Sequence, residues 1–344
     1  MSPNQTNCPT SLADSPQKLR PTVYKHELVW KKIFFFAYVH LAALVGIYFL
    51  TQMSWKTWIW SILLVLMSSH GTAVGAHRLW AHRTFKAKLP LEIVLAVDQT
   101  LTFQTDIYDW VRDHRLHHKH SDTDYDPHNA SRGFFYSHIG WLMCKKSPQL
   151  IQKGKEIDLS DLLQNRVVMF QRKYYWYIAP FIAFVIPAAV PWYFWNEAFV
   201  ISWHVCSMLR YVYTLHATCL VNSAAHKWGT KPFDRNIRPV ETMFVAHLSF
   251  GEGFHNYHHT FPWDYKAAEL GNYYGNLNTA FIDLMAKIGW AYDLKWASPD
   301  MVMKRVLRTG DGSWNKSSIW GWGDKDMDEE DVKMVQDNWK TIAK

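Results

Sequence analysis

The stretch His114–His118, written HRLHH, places three imidazoles within five residues. On an α-helix of about 3.6 residues per turn, side chains three and four apart share a face, so His114, His117 and His118 converge on one point, as metal ligands do. HNYHH repeats that spacing with His255, His258 and His259, and HRLWAH adds His77 and His82. The last pair is five apart, about 140° around an ideal helix, so it shares a metal only where the helix frays or the metal lies off its end. Eight imidazoles exceed what one ion takes. Cys, the favoured ligand of structural zinc, is missing from these clusters, whereas imidazole suits Zn, Fe, Cu and Ni. The set therefore predicts two ions with open coordination positions. Asp106, Asp109, Asp113 and Glu252 lie near enough in sequence to orient the ring nitrogens that do not bind metal, or else to serve as caps and solvated charges.

The elements that must bring these clusters together are apolar. After a polar tail from Met1 to about Pro21, without the layout of a cleaved signal peptide, a basic run carries Lys18, Arg20, Lys25, Lys31 and Lys32. It leads into a span over residues 33–50, and a second span follows over 58–76 after a link containing only Lys56. Lys31 and Lys32 before the first span, with Arg78 and Arg83 after the second, place those ends in the cytosol by the positive-inside rule. Residues 77–173 are polar except for Leu89–Phe103, an amphipathic stretch expected along the membrane interface. A third span covers 174–195 with Pro180, Pro187 and Pro191 inside it, which a membrane helix tolerates when neighbours satisfy the freed carbonyls; a fourth covers 199–221. Four spans in two hairpins return the chain to the cytosol, so residues 222–312 share a compartment with the 77–173 segment. All three His clusters then lie on one side of the bilayer, next to span ends. A charged segment, 313–344, closes the chain.

Composition narrows the partners. The chain is 49% apolar and 16% aromatic with a net charge of +7, while a mean hydropathy of −0.21 argues that apolar spans are joined to a polar, His-rich part. No nucleic-acid motif is present, so the basic balance suits a membrane surface and a polyanionic substrate, with no nucleic acid. Cys8, Cys144, Cys206 and Cys219 have no paired spacing and are expected as reduced thiols. His70, His204 and His216 fall inside apolar spans, where helix-to-helix hydrogen bonds are the expected use.

The strings HRLWAH, WVRDHRLHHKHSDTDYDPHNASRGFFYSHIGW, VNSAAH and GEGFHNYHHTFPWDY together resemble the membrane acyl-CoA desaturases of the stearoyl-CoA type, over about Lys31 to Gly312. The wording is most similar to the insect branch, which includes delta-9, delta-11 and pheromone-synthesis enzymes. The resemblance implies an all-α membrane protein with four transmembrane helices and a cytosolic cap that holds two iron ions. It adds His226 to the eight imidazoles and gives Asn222 a metal-bound water. It implies oxygen-dependent removal of two hydrogens from neighbouring methylenes of a fatty acyl-CoA. Electrons would come from cytochrome b5 and its NADH-dependent reductase at the endoplasmic reticulum, with both termini cytosolic. This chain itself carries no nicotinamide or flavin fingerprint.

Arg112, beside Asp113, and Lys145 and Lys146 are the cations expected to meet the polyanionic coenzyme A. The resemblance puts Trp110 and Thr218 at the bend of an acyl tunnel, and Val65 and Ser69 near its closed end, where ordinary helix packing is the plainer expectation. Thr105 stands where many relatives have Asn, and Cys219 where many have an aromatic, both near the expected acyl and pantetheine path. With the subgroup-variable tetrapeptide Arg238–Glu241, these departures leave double-bond position and chain length unassigned. A His-box hydroxylase or conjugase would share the same metal site, and a metal-storing or lipid-binding membrane protein would share the spans.

Overall fold

The computed structural model describes residues 27–269 and 273–314; the expected tail 1–21 lies outside them, as does all but Ser313 and Trp314 of the charged end 313–344. Helix α1 (Trp30–Phe49) is followed by α2 (Trp55–Ser69), which runs on without a break through a wide-turned segment, His70–Ala81. After a short strand β1 (Lys86–Ala87) come α3 (Leu89–Leu101) and α4 (Ile107–His120), then α5 (Phe134–His138), α6 (Pro148–Lys155) and α7 (Ser160–Gln164). Helices α8 (Arg166–Pro180) and α9 (Ile186–Trp195) are joined by wide turns at Phe181–Val185. A further continuous helix combines α10 (Phe199–Ser202), wide turns at Trp203–Leu209 and α11 (Arg210–Ser223). The remaining chain forms α12 (Met243–Leu248), α13 (His255–Thr260), α14 (Leu277–Lys287), strand β2 (Ala291–Tyr292), antiparallel to β1, and α15 (Pro299–Thr309).

Three helices among the described residues, Trp30–Phe49, Trp55–Ala81 and Arg166–Trp195, are long and apolar enough to cross a membrane. The fourth expected span is an unbroken helical stretch, residues 199–223, whose mean hydropathy is lowered by His204, Arg210 and His216. The helices overrun the expected 33–50, 58–76 and 174–195 limits because they continue into the polar cap. Asn165, for example, caps α8 by accepting from the amides of Val167 and Val168 at 3.0 Å each, well before the apolar run begins.

The prolines of the third helix show how its freed carbonyls are satisfied. Pro187 has no N–H to offer the carbonyl of Ala183, and Arg210 donates its Nη2 there instead. Pro191 likewise leaves the Pro187 carbonyl free, and Trp60 Nε1 fills it at 3.0 Å. Ser207 Oγ donates to the Phe184 carbonyl at 2.6 Å. Arg210 also donates to the Leu101 carbonyl at 2.8 Å, at the end of α3. One buried guanidinium thus binds together three helices at a depth where unpaired carbonyls are costly. At the opposite end, Glu197 accepts from Ser54 N at 2.9 Å and Thr57 Oγ1 at 2.5 Å, joining the two interhelical turns.

The cap rests on close packing of α3 against the wide-turned end of α2. Gly71 permits this: a Cβ there would meet the Asp98 backbone at 2.2 Å. The buried side of α3 presents Leu91 and Leu95 to Trp80, Val111 and Ile282, while its exposed side (Leu89, Ile93, Val94, Val97) is itself apolar. Cys144, Cys206 and Cys219 are free thiols.

Replacing Arg210 by Met should strand the Ala183 and Leu101 carbonyls and cost about 2–4 kcal/mol, read as a lowered unfolding temperature in detergent by tryptophan fluorescence. Trp60→Phe, which strands one carbonyl, should cost about 1–2 kcal/mol.

Candidate metal centre

The spacing of His77 and His82, awkward for an α-helix, is resolved by the wide turns. Their amide pattern is i to i+5, with His82 N donating to the His77 carbonyl at 3.0 Å, so residues five apart come round to one side. The two ring centroids lie 4.9 Å apart. Helix α4 packs on this segment and is held there by the Arg of HRLHH. Arg115 donates to the carbonyls of Trp80 at 2.8 Å and Ala81 at 3.1 Å, and to Asp161 at 2.6 Å. Asp106 caps α4 by accepting from Asp109 N at 3.0 Å. In HNYHH the non-histidine letters do equivalent work. Asn256 bridges the backbone of Phe233, Asp234 and Pro239, and Tyr257 donates its hydroxyl to Asp264 at 2.7 Å.

Nine imidazoles result, in two groups whose candidate ligand atoms lie within 4.8 Å of one another: His77, His82, His114, His118 and His258 in one, and His117, His226, His255 and His259 in the other. The rings meet through Nε2. In the first group His77 is 2.9 Å and His118 3.0 Å from His258, and His82 is 2.8 Å from His114. In the second, His255 is 3.1 Å from both His226 and His259, and His117 is 3.3 Å from His259. Three rings have their other nitrogen against a carboxylate: His77 on Glu252 at 2.6 Å, His117 on Asp126 at 2.9 Å and His226 on Asp122 at 3.1 Å. Donation from Nδ1 to the carboxylate leaves a lone pair on each Nε2, aimed at other Nε2 atoms. Lone pairs so disposed repel one another unless a cation lies between them. Nitrogens at about 2.1 Å from a metal and at right angles are about 3.0 Å apart, so the observed spacings fit metal-bound imidazoles.

The electrostatics point the same way. Burial, and then the neighbouring rings, hold His82, His114, His118, His255, His258 and His259 well below the ordinary imidazole range, keeping them neutral and able to ligate. Burial pushes the Glu252 carboxyl up, but Arg78 and His77 outweigh it and hold it at about 2. Burial likewise opposes ionisation of Asp126, and His117 and His128 reverse it, so that carboxyl lies far below its usual range.

A cavity of about 670 Å³, counting the open solvent at its mouth, touches both groups, through His77 and His114 of the first and His117 and His255 of the second. Trp110, Thr218 and Asn222 line it near the imidazoles, and Val65, Ser69 and Ala73 line it towards α2. Trp110 stacks on the His114 ring at 5.0 Å, and Gln104 Nε2 donates to Thr218 Oγ1 at 3.2 Å. Thr105 and Cys219 do not line this cavity. Thr105 is exposed, with a left-handed backbone (φ 72°), and Cys219 is buried against Tyr211 and Leu215.

Among the four acids marked in the sequence, Glu252 reaches a ligand ring. Asp113 accepts from Arg112 at 3.0 Å and also from Lys146, while Asp109 accepts from Arg112 at 2.7 Å. Lys145 pairs with Glu27 at 2.5 Å and, with Lys146, lines a second, smaller pocket alongside Arg132 and Tyr136. Asp122 and Asp126 escaped the sequence reading; the signal available was the acidic SDTDYD run directly after α4, which turns back onto the rings. Nothing in the spacing marks His226 as a ligand, and it is Asp122 in that same run that orients it.

The fatty acid desaturase family model matches residues 53–273. The chain is 50% identical over 351 aligned residues to an acyl-CoA Delta-9 desaturase of Acheta domesticus, covering 96% of this chain and 97% of the relative. It is 52% identical to an acyl-CoA Delta(11) desaturase of Trichoplusia ni, over 90% of this chain and 88% of the relative. It is also 50% identical to an (11Z)-hexadec-11-enoyl-CoA conjugase of Bombyx mori, over 85% and 88% respectively.

Glu252→Gln and Asp126→Asn should each weaken metal retention about 10- to 100-fold in chelator competition, whereas Asp109→Asn, remote from the rings, should not. In metal-free protein the depressed imidazoles take up protons only on unfolding. Stability should therefore fall as the pH drops below 6.5, the ordinary imidazole value, and fall again as Glu252 is protonated between 4.5 and about 2. Each such proton adds about 1.4 kcal/mol per pH unit to the slope, measurable as unfolding temperature against pH.

Proposed function

The chain belongs to the fatty acid desaturase family and is an acyl-CoA desaturase, an oxidoreductase; from that premise we propose that it places a double bond in a fatty acyl-CoA at two iron ions. The supporting observation is that one cavity, otherwise largely apolar, is lined by imidazoles of both groups. In this reading His77, His82, His114, His118 and His258 hold one iron, and His117, His226, His255 and His259 hold the other, with Asn222 beside the second through a water. When bound, the pair supplies the reductive activation of O₂ that an unactivated methylene requires.

The protein's own contribution is position, dryness and charge. Trp110, stacked on His114, and Thr218, fixed by Gln104, hold the acyl chain where it passes the imidazoles. Val65 and Ser69 meet its methyl end. The distance from that end to the imidazoles fixes which carbons are exposed to reaction, and closure around the chain keeps water from competing. At the cytosolic surface, Asp113 draws Arg112 and Lys146 together, and with Lys145 they form a cationic edge for the coenzyme A phosphates. Electrons arrive from cytochrome b5 and its NADH-dependent reductase, so this chain binds no nicotinamide or flavin. All four apolar helices cross the endoplasmic reticulum membrane, with the cap, the metal site and both termini cytosolic.

Expression in a desaturase-deficient yeast fed defined saturated and monounsaturated acids, with double bonds located by mass spectrometry, tests this reading. New olefins should appear. A hydroxylated product, a conjugated diene formed only from monoenes, or unchanged lipids despite iron-loaded protein would overturn it. His118→Ala should reduce turnover at least 1,000-fold while leaving membrane insertion intact. Val65→Phe, which shortens the cavity, should shift the preferred acyl chain down by about two carbons, on the order of 2–3 Å of hydrocarbon.

A further inference from the structure

Three histidines outside the metal groups form a single hydrogen-bonded array that the desaturation site does not use. His40 on α1 meets His216 on α11 through their Nε2 atoms at 2.8 Å. His216 Nδ1 meets His138 Nε2, at the end of α5, at 2.9 Å. His138 Nδ1 meets Ser223 Oγ at 2.9 Å, and Ser223 Oγ lies 2.8 Å from the Cys219 carbonyl. At the far end His40 Nδ1 lies 2.6 Å from the Phe36 carbonyl. His40 is the eleventh residue of α1, about 15 Å along its axis, so the array runs from within the apolar layer to the cap.

The protons of this array can be counted. A carbonyl only accepts, so His40 Nδ1 must carry hydrogen. Each nitrogen-to-nitrogen contact then holds one further hydrogen. If His138 Nδ1 accepts from Ser223, the three rings share three hydrogens and all are neutral. If Ser223 donates to the Cys219 carbonyl instead, His138 Nδ1 must donate to Ser223. The rings then share four hydrogens and carry one positive charge. The two states keep every ring bonded and differ by one proton and one hydroxyl rotation. Among the described residues no Asp, Glu, Lys or Arg bonds to any of the three rings. The titratable groups acting on His216 are His138 and His40, and His138 is otherwise within reach of the Cys219 carbonyl.

Ser223 is the residue at which α11 ends and the tight turn Ala224–His226 begins. It follows Asn222, which lines the cavity, and precedes His226 by three residues. We propose that His40, His216 and His138, closed by Ser223, hold one exchangeable proton as a unit, and that its presence sets the helix junction that positions Asn222 and His226. The three rings and Ser223 are positioning residues, since none of them touches the cavity. That Asn222 and His226 serve a metal rests on the function proposed above; the proton count does not.

The test uses full-length protein in lipid nanodiscs, loaded with redox-silent zinc and labelled with ¹⁵N-histidine. His40→Gln, His138→Gln and His216→Asn assign the three rings. At high pH the expected tautomers are Nδ1–H for His40 and Nε2–H for His216 and His138. Lowering the pH should add one proton across the three rings in a single step. His216→Asn should split the array, so that the single shared step is lost and the His138 signals no longer respond to substitution of His40. Ser223→Ala removes the partner of His138 Nδ1 in both states and should move the shared midpoint by about half to one pH unit, with Ser223→Thr restoring it. In iron-loaded enzyme the acid limb of kcat should move with that midpoint. Separate titrations in the unaltered protein, uptake of more than one proton, or a Ser223→Ala midpoint that stays in place would overturn the proton store. An unmoved kcat profile, with the midpoint shifted, would overturn its positioning role. Loss of all desaturation would contradict the proposed function while leaving the zinc-protein count intact.

Discussion

The structure depends on a repulsion. Nine imidazoles are pressed together until ring nitrogens of different residues lie 2.8–3.3 Å apart. No peptide folds this way for its own sake: each ring gives up hydration, and three are oriented by carboxylates so that their ligating nitrogens cannot turn away. Cations placed between the rings would supply the compensating attraction. Much of the cap serves to keep the rings from separating in the meantime: Arg115 holds α4 against the end of α2, Asn256 anchors α13 to the 233–239 loop, and Gly71 allows α3 to lie directly beneath.

The membrane layer solves a second problem by similar means. Prolines in the third helix create wide turns and free carbonyls, and the donors that satisfy them come from other helices, Arg210 and Trp60. What would be defects in an isolated helix become fixed contacts between helices. The same wide-turn geometry in the second helix turns a spacing of five residues into a facing pair of imidazoles.

The sequence made the imidazole clusters legible because spacings of three and four bring side chains to one side of a helix. His114 with His118 on α4 and His255 with His259 on α13, each pair four apart, needed no tertiary information to be matched, whereas the fold sends His117 and His258, three from His114 and His255, to the opposite groups. His77 and His82 did need it, because periodicity arithmetic assumes α-helical turns and the chain here makes wider ones. His226 lay hidden for a different reason: a lone histidine at a helix end has no local pattern, and only the fold brings Asp122 to it. Asp122 and Asp126 are separated from the rings by a reversal that propensity does not reveal. Thr105 and Cys219 show the opposite limit: Cys219 follows the lining residue Thr218 on a helix and so faces another way, and Thr105 sits exposed in the left-handed turn between α3 and α4.

The carboxylates around the rings are unequally shared. Glu252, behind the first group, is matched by a buried guanidinium, Arg78, at 2.6 Å. Asp122 and Asp126, behind the second, bond to rings and backbone amides and, among the described residues, to no Lys or Arg. The two halves therefore present different electrical potentials to whatever they hold, although their imidazole donors look alike. The centre is polarised along the line joining its halves, so whatever enters the cavity meets a site with a distinct front and back.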